Sequence, residues 1–85
     1  SDKKIDTSGY VIVKPDGSIL EGTLWKNRIH VPEDLTSLIQ KNHANLLTGK
    51  EIEGFIYGHL QPYVIRFCPW GDDVAYIIRS GGDRS

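Results

Sequence analysis

Apolar positions recur along this chain with two different periods, and the changes between them divide it into elements. Tyr10-Val-Ile-Val13 and Ser18-Ile-Leu-Glu-Gly-Thr-Leu24 are short strand-like runs on either side of Lys14-Pro-Asp-Gly17. In that quartet Pro presets φ, Asp can bond the backbone, and Gly accepts a positive φ, which together predict a β-hairpin. Its second strand runs on or bends near Trp25 toward Ile29. The period then changes to that of a helix. Pro32-Glu-Asp34 suits a helix start, because Pro loses nothing in a first turn and acids favour the positive end of the dipole. Leu35, Leu38, Ile39 and Leu46 fall on one stripe, with Leu47 on its shoulder and Asn42 in its middle. Gly49, followed by Lys50, stands where a chain leaves a helix, so one helix is expected from Pro32 to Thr48. Three further strands are expected at Glu53 to Leu60, Tyr63 to Cys68 and Val74 to Arg79. Gln61-Pro62 and Pro69-Trp-Gly-Asp-Asp73 separate them.

The order ββαβββ predicts an α+β fold. A helix with one apolar stripe must lie across a sheet, and hairpins on both sides of it give a two-layer sandwich with a mainly antiparallel sheet of four or five strands. Residues 1–8, polar apart from Ile5, read as a lead-in. Residues 9–79 form the domain and 80–85 a glycine-containing tail.

If the last three strands form a meander, alternation assigns their faces. One face carries Ile56, Leu60, Tyr63, Ile65, Phe67, Val74, Tyr76 and Ile78, the apolar bed for the helix. The other carries Phe55, Tyr57, His59, Val64, Arg66, Cys68, Ala75, Ile77 and Arg79. That second face is too aromatic and aliphatic for an idle solvated surface, yet it holds arginines and a histidine that a dry core would not take unpaired. Tyr, Phe and Arg bring rigid area with a polar handle, as interface anchors do. Phe55, Tyr57, His59, Val64, Arg66, Ile77 and Arg79 are therefore the candidate partner-binding residues, the partner being another protein or a second copy forming a homodimer. Simple coverage by the first hairpin, the tail or a loop is the competing account.

Composition narrows the function further. With 39% hydrophobic and 25% charged residues the chain has the make-up of a folded domain. Its 10 Lys and Arg against 11 Asp and Glu give a net charge of −1, which makes no electrostatic case for nucleic acid or an anionic membrane. A stacking platform for single strands is the third reading of the aromatic face. Cys68 stands alone, so the chain contains neither an internal disulfide nor an all-thiolate metal site. The lone cysteine argues for a reducing compartment or indifference to redox, and with no secretory signal pattern and no long apolar run a cytoplasmic setting is expected.

Catalytic chemistry finds little to build on in 85 residues. His43, His59, Asp72 and Asp73 lack the tight spacings of a metal site, and Asp72-Asp73 reads as turn chemistry. Cys68 and His59 fall near opposite ends of neighbouring strands, too far apart for a nucleophile and its base. Gly54 and Gly58 sit in a strand-like run rather than in a phosphate-binding loop. A non-enzymatic module without metal or cofactor is expected.

The final strand leads through Ser80 to Gly81-Gly82, followed by Asp83-Arg84-Ser85. With the hairpin, helix and later strands, this resembles the β-grasp layout of ubiquitin-like modifiers, whose last strand runs into a Gly-Gly tail that is sometimes trimmed. The resemblance rests on element order and one dipeptide. It implies a modifier or carrier in which Gly81 and Gly82 form the attachment tail.

Overall fold

The first hairpin closes as its turn residues dictate. In a computed structural model that describes residues 9–25 and 27–81, β1 (Tyr10–Val13) and β2 (Ile19–Gly22) pair antiparallel around Pro15, Asp16 and Gly17. The Gly17 N–H donates to the Lys14 carbonyl at 2.8 Å, and the Lys14 N–H donates to that of Ser18 at 2.9 Å. Gly17 has φ +91°, and a Cβ there would lie 2.4 Å from Thr36 Oγ1, so the bare glycine lets the hairpin tip dock on the helix layer. β2 is shorter than the run Ser18 to Leu24. The chain turns away at Thr23 and returns so that the Ile19 N–H donates to the Ile29 carbonyl at 2.8 Å.

Asp16 adds a pH-sensitive clasp. Its Oδ1 accepts from the Ser18 hydroxyl at 2.6 Å and from the Ser18 N–H at 2.9 Å. These two bonds, the hydroxyl's first, hold the carboxyl below the usual carboxylate range. A lowered folded-state pKa stabilises fully above the unfolded value and is lost as pH falls through the folded one. The wild type should therefore outlast Asp16→Asn in urea at neutral pH. The gap should narrow as pH drops below about 4; urea midpoints that differ equally across the whole acid range would exclude the clasp.

The helix layer departs from the expected single helix. α1 (Glu33–Lys41) and α2 (His43–Leu47) are separated at Asn42, whose φ of −111° and ψ of 18° leave the helical region. The Asn42 Nδ2 donates to the Leu38 carbonyl at 3.0 Å. An Asn side chain competes for local carbonyls in this way, which is why Asn opposes helix continuation where a leucine would extend it. At the far end the Gly49 N–H donates to the Leu46 carbonyl at 3.0 Å and the Lys50 N–H to that of Asn45 at 3.2 Å. Gly49 has φ +95°, and the two bonds make a Schellman closure.

The remaining strands are β3 (Ile52–Gly54), β4 (Tyr63–Phe67) and β5 (Tyr76–Ser80). They form the expected meander, but β3 stops well short of Leu60, leaving residues 55–62 as a connection. β5 starts at Tyr76 rather than Val74 and runs to Ser80, a residue assigned above to the tail. All five strands join one antiparallel sheet in the order β2-β1-β5-β4-β3. The fold is thus α+β, with two helices on an open sheet. Val11, Val13, Tyr63, Ile65, Tyr76 and Ile78 of the sheet pack with Leu35, Ile39 and Leu46 of the helices to make the core. β3 sits directly beneath α1. A Cβ on Gly54 would overlap Leu38 Cδ2 at 2.1 Å, so glycine there allows the close approach. Residues 1–8 and 82–85, expected as lead-in and tail, lie outside the described residues.

Candidate functional site

Alternation on the paired strands defines a second sheet face, opposite the helices. In one row Tyr10, Arg79, Val64 and Glu53 are register partners across β1, β5, β4 and β3. In the next, Glu21, Ile12, Ile77 and Arg66 follow one another across β2, β1, β5 and β4. Ile12 and Val64 are buried and Ile77 half-buried, whereas Arg66, Arg79, Glu21 and Glu53 are exposed. The Tyr10 hydroxyl donates to Glu21 Oε2 at 2.8 Å. That bond, with the charge behind it, pushes the phenol above its usual range. Neither Arg66 nor Arg79 forms an ion pair with a described residue.

Four of the seven expected partner-binding residues, Val64, Arg66, Ile77 and Arg79, lie together on this face. Phe55, Tyr57 and His59 do not join the paired rows, because β3 ends at Gly54 and they belong to the connection. Tyr10, Ile12, Glu21 and Glu53 complete the face. Their alternation was visible in the sequence, but which side it faced depends on β1 pairing with β5, a contact between the two ends of the domain.

The connection forms a second surface. Ile56 is buried in the core, and the His59 N–H donates to the Ile56 carbonyl at 2.9 Å. This closes a turn with Tyr57 and Gly58 at its tip. Gly58 has φ +88°, the conformation a type II turn needs at its third position. The Tyr57 N–H donates to Asp34 Oδ2 at 2.9 Å, tying the tip to the first turn of α1. Ile56 points inward, and its neighbours turn outward: Phe55 is 59% exposed, and Tyr57 and Leu60 are each 94% exposed. Beside them stand the exposed carboxylates Glu33 and Asp34. Three large apolar side chains so exposed within six residues exceed the scattered exposure a monomer carries as a matter of course.

His59 turns toward Tyr63 instead, with its Nδ1 3.2 Å from the Tyr63 hydroxyl. Trp25 covers the other side of that tyrosine at a centroid distance of 5.3 Å. Burial raises the Tyr63 pKa, and a bond from the Trp25 side chain opposes the shift. At the opposite end of β4, Cys68 is half-buried, the length of the strand away from His59. His43 Nδ1 lies 2.8 Å from the buried Tyr76 hydroxyl, whose pKa burial also raises. Among the described residues no three His, Cys, Asp or Glu side chains gather as a metal site. The 70–73 turn is closed by backbone bonds between Trp70 and Asp73 in both directions.

Gly81 is held against the fold. Its N–H donates to the Pro62 carbonyl at 2.7 Å, and a Cβ would press to 2.8 Å from Pro62 Cγ. Packing therefore accounts for glycine at position 81, and Gly82 lies outside the described residues. No helix among the described residues is long and apolar enough to cross a membrane. No protein-family model, curated protein or solved structure matches the chain.

Proposed function

We propose that this chain is a non-catalytic protein-interaction module that binds through the sheet face opposite its helices. One observation carries the reading: exposed Arg66 and Arg79, neither in an ion pair with a described residue, stand around half-buried Ile77 on this face, with exposed Tyr10 on the neighbouring strand. Half-buried Ile77 and the exposed ring of Tyr10 supply the apolar area that a partner can desolvate. The guanidinium forks suit carboxylates on that partner, where planar bidentate bonds add direction to the attraction. A partner offering acids around an apolar patch is the complement, whether another protein or a copy of this one. No cofactor enters this role.

Arg66→Glu should leave the far-UV circular dichroism and urea midpoint near those of the wild type, because Arg66 is exposed and exposed substitutions usually move stability by less than about 0.5 kcal/mol. It should abolish assembly measured by sedimentation. A wild-type chain that stays monomeric, and whose purified partners bind Arg66→Glu equally well, would overturn the reading.

A further inference from the structure

We infer that the occupant of the arginine-bearing sheet face is the 55–60 loop of a second copy of this chain. The inference rests on the proposed binding role of that face and names its partner. The two surfaces are complementary in kind. The loop presents Phe55, Tyr57 and Leu60 beside the carboxylates of Glu33 and Asp34, and the face presents half-buried Ile77 and exposed Tyr10 beside the central Arg66 and Arg79, with Glu21 and Glu53 out on its two edge strands. Apolar surface meets apolar surface while acids meet guanidinium groups, the arrangement that steers and registers an interface.

The loop is also built to keep its shape. Ile56 anchors it in the core, Asp34 holds the Tyr57 N–H, and the Gly81 N–H bonds to Pro62 at its far end. Little freedom remains to be lost on docking, and preorganised loops bind better for that reason. Symmetry follows from position. The loop is tied to α1 in the helix layer, and the receiving face lies on the other side of the sheet. A copy that inserts its loop therefore keeps its own face open to a third copy. Such a contact is heterologous and produces head-to-tail chains or rings rather than a closed two-fold dimer.

Two variants and their mixture test this. The loop variant is Tyr57→Ser with Leu60→Ser, two substitutions at positions 94% exposed that leave the Tyr57 N–H in place. The face variant is Arg66→Glu with Arg79→Glu, with Arg66→Ala and Arg79→Ala as a milder pair should charge reversal disturb the fold. Sedimentation of the wild type over a concentration series should show species larger than dimers. Each variant alone should be monomeric, with association weakened at least about 30-fold. An equimolar mixture should form one-to-one dimers and stop there, because only one intact loop and one intact face remain.

A loop variant that assembles like the wild type would overturn the inference and leave the face as a self-contact. A mixture that stays monomeric would also overturn it. So would a monomeric wild type, and Arg66-dependent binding of that monomer to a different protein would still uphold the role of the face.

Discussion

Gly22→Ala is expected to remove about 2–6 kcal/mol of stability, from backbone strain of about 1–3 and overpacking of about 1–3 kcal/mol. Gly22 has φ +124°, and an added Cβ would lie 2.2 Å from the Tyr10 carbonyl oxygen and 2.6 Å from Val11 Cα. Both neighbours are main chain, so no rotamer change can relieve the contact. Nor can β1 retreat, because its other edge is paired with β5 from Tyr10 through Val13. A domain of 85 residues has about 4–13 kcal/mol in total at typical per-residue stability, so this one methyl threatens the fold itself. Urea unfolding of Gly22→Ala beside Gly49→Ala separates the causes. Gly49 has a comparable φ of +95° with nothing within 4 Å of its Cβ position, and its substitution should cost only about 1–2 kcal/mol. Equal losses at the two positions would show that the contact with β1 contributes nothing.

Leu46→Ala is expected to cost about 2–5 kcal/mol, the range for emptying a fully buried leucine site. α2 has five residues, far too few to persist unaided, and Leu46 is its one buried side chain. Loss of that anchor should free the whole segment, and with it the bond between His43 and the Tyr76 hydroxyl. Near-ultraviolet circular dichroism should report the change through Tyr76, which also meets Phe67 edge-on at 6.1 Å. The next residue is the control. Leu47 is 40% exposed, and Leu47→Ala should cost less than about 1 kcal/mol. If the two substitutions cost the same, α2 is held by something other than Leu46.

Features decided within a few residues were legible from the chain alone. Pro15, Asp16 and Gly17 specify their turn by their own φ preferences and side-chain bonds. Gly49 ends α2 because a positive φ there satisfies two carbonyls. Two other features involved competition between patterns. Asn42 falls on the apolar stripe, so periodicity carried the helix through it, and the bond from its side chain to Leu38 belongs to an interplay that periodicity does not describe. Phe55, Ile56 and Tyr57 alternate in and out as a strand would, but a loop with one inward plug has the same pattern. The flanking Gly54 and Gly58 were the available sign of a break.

The candidate surfaces divide along the same line. Val64, Arg66, Ile77 and Arg79 share a face because β4 and β5 are consecutive and joined by a short hairpin. Tyr10 and Ile12 join them only because β1 lies beside β5, a pairing that no local signal encodes. The carboxylates beside the loop come from α1, which the chain brings near through tertiary packing alone.

The place of β5 between β1 and β4 governs the timing of folding during synthesis. The β1–β2 hairpin and the β3–β4 hairpin are each complete before Tyr76 is made, but neither pairs with the other in the finished sheet. Until residues 76–80 are made, β1 and β4 lack a partner on their inner edges, and a two-stranded ribbon alone is at best marginally stable in water. The last strand supplies both missing edges, so the five-stranded sheet cannot be completed before it is made. Its joining step spans almost the whole chain, the type of contact that slows folding most.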